Sequence, residues 1–201
     1  MTETKNYERG HTFTVTEMEQ RMKANNVQRT HRTVLFLTQS GAIAALYVVF
    51  TWVSALFGLS SGVIQVRISE ALCILPAFTP AAIPALTVGC FLANLLTGGL
   101  PLDAVFGSLA TLLGALGAWC IGKYCRRLPA PVYKIFITLP NVAANTLIVP
   151  WVLRYVYGAQ GAIPYFMLTV GAGEFLATTV LGFALFVLLQ RILSKKNFLS
   201  L

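Results

Sequence analysis

The chain begins with 32 residues in which charged and apolar positions alternate without a sustained apolar run, and then it changes character. From Thr33 to Val66 no Asp, Glu, Lys or Arg occurs, and a second uncharged run covers residues 71–102. Apolar stretches of about 20 residues match the hydrocarbon thickness of a bilayer when helical. The pattern predicts a first span over about 34–57, followed by a turn at Gly58-Leu-Ser-Ser-Gly62. The run 71–102 is too long for one upright span and contains Pro76, Pro80 and Pro84. It reads either as one long kinked helix or as two short spans, about 64–78 and 82–97, joined by a turn near Thr79-Pro80. Further spans are predicted over about 104–122, 132–154 and 163–190.

Charge placement decides between these readings. With six spans and the N-terminus inside, the cytoplasmic side holds 13 of the 15 basic residues, leaving only Arg67 and Arg154 elsewhere. With five spans, the Lys123–Lys134 cluster and the C-terminal cluster both fall outside. The positive-inside rule selects six. Composition agrees: 56% of residues are hydrophobic, 11% are charged, and mean hydropathy is +0.71. Soluble domains average about 25% charged residues. The predicted fold is therefore an all-α integral membrane protein, a six-transmembrane-helix bundle, N-in and C-in, with short loops. Residues 1–32 form a polar cytoplasmic tail, disordered or holding a short helix. Residues 33–194 form the membrane domain, and 195–201 a basic C-terminal tail. The net charge of +8 reflects topology and gives no ground for nucleic-acid binding. The segment 1–32 lacks the apolar core of a secretory leader.

The four cysteines (Cys73, Cys90, Cys120, Cys125) show no C-x2-C spacing, and both histidines lie in the tail. They read as reduced cysteines packed in helices. No metal site, cofactor site or catalytic set is expected, and no enzymatic activity. No G-x4-G-K-[ST] loop occurs, so the chain cannot hydrolyse ATP alone, and no inverted repeat of the transporter type is visible.

After the tail only three acids remain, Glu70, Asp103 and Glu174, each in or beside an apolar segment. Such residues are costly in a membrane unless a partner, water or a ligand compensates. Glu174, inside Gly171-Ala-Gly-Glu-Phe-Leu, is the clearest candidate. Glu70 follows Arg67 by three positions, so a self-contained ion pair on one helix face competes with a ligand role. Asp103 competes with a role at a helix N-terminus. Asn141 and Asn145 share a helix face beside Pro140, which frees the carbonyl of Phe136, and Asn94 lies mid-span. Carboxylates accept hydrogen bonds, and amides donate and accept. The set suits a small planar molecule rich in N–H donors, with Arg67, Tyr47 and Trp151 as further candidate contacts. Small residues recur at four-residue spacing: Gly41 and Ala45, Gly107 and Thr111, Gly114 and Ala118. They serve helix packing within the chain or a docking face for another subunit.

At Gly41-Ala-Ile-Ala-Ala-Leu-Tyr, Gln65-Val-Arg-Ile-Ser-Glu-Ala-Leu, Phe106-Gly-Ser-Leu-Ala-Thr and Leu139-Pro-Asn-Val-x2-Asn, the chain resembles the substrate-binding S components of energy-coupling factor (ECF) transporters. Within them it is most similar to the QueT family of queuosine precursor transporters, over about residues 34–192. The resemblance implies a six-helix subunit in a bacterial plasma membrane. It implies partners, a coupling subunit and two cytoplasmic ATPases, with Gly41 and Ala45 docking the coupling subunit. It also implies 7-deazaguanine substrates: the 7-cyano or 7-aminomethyl precursors, or queuine. One carboxylate can accept the paired N–H groups of such a ring, and Glu174 or Glu70 is the candidate. The alternatives are an S component for another heterocycle, such as a pterin or thiamine, or a solitary proton-coupled transporter.

Overall fold

The structure is a computed structural model, and it describes residues 4–7, 11–59, 66–125 and 127–196. Contacts divide the chain into two units, Met1–Thr38 and Gln39–Leu201. The first unit carries an antiparallel hairpin of β1 (Thr4–Tyr7) and β2 (His11–Thr14), in register Thr4 to Thr14 and Tyr7 to His11. Helix α1 (Val15–Leu56) follows β2 directly. The hairpin is the one departure from helix among the described secondary-structure elements.

In the second unit, the end of α1 meets α2 (Ala82–Leu96) at a small-residue contact. A Cβ on Gly89 would stand 3.0 Å from Tyr47 Cβ and 3.1 Å from the Ala44 carbonyl. The backbones therefore touch where only glycine fits. Ser40 Oγ donates to the Ala81 carbonyl at 2.9 Å, which fixes the register of the pair.

Between α1 and α2 the chain forms a 3₁₀ helix, Ile68–Ala77, nearly all of it buried. It is tied to α1 by Thr51 Oγ1 donating to Ser69 Oγ at 2.7 Å and Ile68 N donating to Ser54 Oγ at 2.9 Å. The chain then turns, with Ala82 N on Thr79 O at 3.2 Å and Ile83 N on Pro80 O at 3.1 Å. Arg67 ahead of the 3₁₀ helix donates to Asn94 near the end of α2 at 2.8 Å, so the two segments run antiparallel. The structure thus has the two-segment arrangement with a turn at Thr79-Pro80, and no long kinked helix. The tighter winding equalises the hairpin. Ten residues at about 2.0 Å rise and fifteen at about 1.5 Å cover nearly the same distance.

Helix α3 (Pro101–Tyr124) is the hub, packing on α2, on the 3₁₀ helix and on the later helix Leu139–Tyr155. Its buried face is almost wholly small: Ala104, Gly107, Ser108, Ala110, Thr111, Gly114, Ala115, Ala118 and Gly122. Lipid tails provide no hydrophobic drive between helices, so close backbone approach supplies the contact. A Cβ on Gly122 would lie 2.6 Å from Ala77 Cα, and one on Gly117 would overlap Pro140. The four-residue spacings in α3 thus serve packing within the chain. Gly41 differs: nothing stands within 4 Å of its would-be Cβ, and both Gly41 and Ala45 are exposed.

The stretch expected as one span over 132–154 consists of α4 (Ala130–Phe136) and α5 (Leu139–Tyr155). The break falls just before Pro140, which cannot donate into a preceding turn, and the Thr138 hydroxyl takes the Ile135 carbonyl at 2.8 Å. The stretch 163–190 forms α6 (Ile163–Glu174), a π-helical segment (Phe175–Leu181) and α7 (Gly182–Lys196). Wide π turns cluster at functional positions in helices, and this one starts directly after Glu174. Many large apolar side chains face outward, among them Leu46, Val88, Leu113, Leu147, Leu168 and Val180.

Candidate functional site

The polar groups of the second unit meet between the 3₁₀ helix, α2, α3, α5 and α6. Glu70 is 2% exposed and lies on the 3₁₀ helix, whose tight turns carry Cys73 round to it. Three protein donors hold its carboxylate. Tyr47 OH from α1 binds Oε1, and Oε2 takes Cys73 Sγ at 3.1 Å and Asn141 Nδ2 at 2.9 Å.

Asn141 is the joint. The same amide nitrogen also reaches Glu174 Oε2 at 3.3 Å and Thr178 Oγ1 at 3.2 Å. Two N–H hydrogens thus serve three acceptors. The opposite amide orientation would aim oxygen at two carboxylates, so the chemistry fixes the assignment. Thr178 completes the ring by donating to Glu174 Oε2 at 3.3 Å. Asn141 Oδ1 is buried and has no hydrogen-bond partner among the described residues. It faces Gly114, where a Cβ would lie 2.5 Å away. Asn145, one turn on, donates to the Asn141 carbonyl at 3.1 Å.

A second cluster adjoins the first. Arg67 holds Asn94 Oδ1, and Asn94 Nδ2 donates to Cys90 Sγ at 3.6 Å. Asp103 accepts the Tyr157 hydroxyl at 2.8 Å, and that hydroxyl accepts from the Leu100 amide at 3.2 Å. Asp103 Oδ2 thus takes a donor from the α5–α6 loop. Arg67 stands immediately ahead of the 3₁₀ helix with extended backbone (φ −98°, ψ 117°), and the Glu70 amide donates to its carbonyl at 3.0 Å.

Arg67, Glu70, Cys90, Asp103, Gly107, Thr111, Asn145, Val149, Val170 and Glu174 line one cavity. The free volume inside is about 10 Å³, near the least that one water needs. Against this frame, Arg67, Glu70, Asp103, Asn145 and Glu174 line the cavity, while Asn94 and Asn141 hold lining residues. Tyr47 reaches the site through its hydroxyl instead of its ring face. Trp151 stands elsewhere. It is half-exposed, stacks on Tyr155 at 5.9 Å and lines an apolar groove with Phe106, Leu109 and Leu147.

Sequence reasoning passed over Cys73, Thr178 and Tyr157. Cys73 and Thr178 stand three and four positions after an acid, a spacing that signals a shared turn. Tyr157 lies 54 residues from Asp103 and carries no local signal.

Among the described residues four helical stretches are long and apolar enough to cross a membrane: Thr16–Leu56, Pro101–Tyr124, Pro131–Tyr155 (α4 with α5) and Ile163–Leu188 (α6, the π segment and part of α7). With a carboxylate–amide cluster buried between helices, they define a multi-pass membrane protein that keeps a polar site inside its bundle. The chain belongs to the QueT transporter family, whose profile matches residues 37–191; this is a family of transporters and not of enzymes. It is 39% identical over 71 residues to the queuosine precursor transporter QueT of Lactococcus lactis subsp. cremoris (strain MG1363). That match covers 35% of this chain and 41% of the relative, so the chain spans about two fifths of that relative's length. No solved structure matches.

Proposed function

We propose that the chain is the membrane-embedded S component of an ATP-driven ECF importer for queuosine precursors, acting in the bacterial plasma membrane. The observation that carries this reading is that Asn141 joins Glu70 and Glu174, two acids that line one cavity, in a member of this family. The L. lactis relative's name supplies the substrate class. A 7-deazaguanine presents N1–H and an exocyclic amine side by side. A carboxylate accepts both, as it does a guanidinium fork. Glu70 already holds three protein donors, so Glu174 takes this edge.

The two shorter apolar helices, Ile68–Ala77 and Ala82–Leu96, join the four long ones to give six spans. The basic clusters then place both termini in the cytoplasm. Cavities that enclose small molecules run to about 300–1,000 Å³, so ligand entry separates α3, α5 and α6 around Glu174. Gly41 and Ala45 leave an open small-residue face on α1 for the coupling subunit, and that subunit's ATPases supply the energy.

Calorimetry on the purified chain with 7-deazaguanines tests the reading. Tight binding by the wild type, lost in Glu174→Ala, is the expected result. Absence of binding by the wild type, or affinity unchanged from wild type in both Glu174→Ala and Asn141→Ala, overturns it.

A further inference from the structure

A groove of about 300 Å³, separate from the carboxylate cavity, opens where the 3₁₀ helix and α3 both end. Gly122 lets these two segments close on each other, since a Cβ there would lie 2.6 Å from Ala77 Cα. The walls of the groove are rings, those of Pro76, Phe78, Pro80 and Trp119, and its rim is charged. Lys123 Nζ stands 5.1 Å from the centre of the Trp119 ring and 5.2 Å from that of Tyr124. Phe78 extends the aromatic surface to α7, with its ring 5.3 Å from that of Phe186. Lys134 of α4 sits over Phe186 at 4.9 Å and over Phe183 at 4.7 Å. The aromatic surface thus runs from one ammonium group to another, and Arg127 in the loop after α3 adds a third positive charge. No acid answers them. After Asp103 the sequence holds only Glu174, which lines the buried cavity and accepts from Asn141 and Thr178 there.

Aromatic rings at the ends of spanning helices mark the depth where acyl chains give way to headgroups. A lysine resting on a ring face keeps its ammonium at that depth, and an ammonium carries three donors for an anion. Basic pockets between spanning helices take the headgroups of anionic lipids. We infer that this groove binds one anionic glycerophospholipid. Lys123 holds its phosphate, Lys134 and Arg127 add attraction, and the rings of Pro76, Phe78, Pro80 and Trp119 cover the first methylenes of its chains. Charge selects this occupant, because a zwitterionic lipid brings a cation of its own against the lysines. The proposed topology places this end of the bundle in the cytoplasmic leaflet, where anionic lipids attract basic residues. The inference goes beyond the proposed function and holds whichever heterocycle the buried cavity takes.

The test is native mass spectrometry on the full purified chain, released from micelles holding equal amounts of phosphatidylglycerol and phosphatidylcholine. One phosphatidylglycerol is expected to stay bound in preference to phosphatidylcholine. Each basic residue near an anionic headgroup is worth about fivefold in affinity. Lys123→Gln should therefore cut the preference about fivefold, and Lys123→Gln with Lys134→Gln about 25-fold, while Lys123→Arg keeps it. Arg154→Gln, an exposed position outside the groove, should leave it unchanged. Equal retention of the two lipids by the wild type, which requires no variant to fold, overturns the inference. So does an unchanged preference in the double variant, or a loss of the same size in Arg154→Gln, which would report general charge attraction. Calorimetry with inorganic phosphate separates the other source of the same chemistry: phosphate alone binding as tightly as the lipid would make this a free-anion site. If the double variant loses co-purification with a coupling subunit and keeps its lipid, the groove is a protein contact and the lipid assignment fails. Deazaguanine affinity should be unaltered in these variants, so the proposed function stands or falls separately.

Discussion

Gly114 and Asn141 touch so closely that no side chain fits between them: a Cβ on Gly114 would lie 2.5 Å from Asn141 Oδ1 and 2.7 Å from its Cα. This contact sets Asn141 between Glu70 and Glu174. Gly114→Ala is expected to destabilise the protein by about 1–3 kcal/mol, the usual cost of overpacking, although alanine is the better helix former. Thermal unfolding in detergent measures it. An unfolding temperature equal to or above the wild type would refute the tight contact.

Gly41 makes the opposite case, because its would-be Cβ meets nothing within 4 Å. Gly41→Trp should therefore leave ligand affinity and unfolding temperature near wild type. If this face docks a coupling subunit, the same substitution should abolish co-purification with that subunit and uptake into cells. Retained uptake would remove Gly41 from the docking surface.

Tyr47 is fully buried and donates to Glu70. Tyr47→Phe keeps the ring and removes one donor from a buried carboxylate. The expected loss is about 1–3 kcal/mol of stability, read as a lower unfolding midpoint. Glu70→Gln should lower that midpoint too, since Tyr47, Cys73 and Asn141 all lose a charged acceptor. Glu174 lines the cavity and accepts from Asn141 and Thr178 on Oε2, so Glu174→Gln should affect binding more than folding.

The acids stood out in the sequence because uncompensated charge is rare in apolar helices, and Asn141 and Asn145 stood out by their four-residue spacing. The partners that hold them did not. Tyr47 is 23 residues from Glu70, and a tyrosine in an apolar helix looks the same whether its ring or its hydroxyl is used. Alternative windings were equally hidden. The 3₁₀ helix Ile68–Ala77 and the π segment Phe175–Leu181 arise from tertiary packing, and apolar runs of that length carry no clear period. Pro140 signalled a disturbance, but not that the chain would leave the helix at Thr138 and restart.

Trp151 belongs to an apolar groove between α3 and α5. Trp151→Ala is expected to leave deazaguanine affinity unchanged and to alter the protein's intrinsic fluorescence. A loss of affinity would show that this ring swings into the site when ligand binds.

Tyr157 lies in the loop after α5, where burial raises its phenol above the ordinary value. It therefore remains a donor to Asp103 at neutral pH. The sign is that of a raised folded-state value: the contribution is complete below the unfolded value near 10 and is lost as pH rises further. Tyr157→Phe should speed amide hydrogen exchange at Leu100 and through the 156–162 loop. Unchanged exchange would show that the hydroxyl does not tie these segments.

The antiparallel pair formed by the 3₁₀ helix and α2 has one more consequence. Ten residues in a 3₁₀ helix extend only about 20 Å, against a hydrocarbon slab of about 30 Å. That helix is nearly all buried, so protein and not lipid surrounds the shortfall, the setting in which backbone off the α-helical path is tolerated at membrane depth.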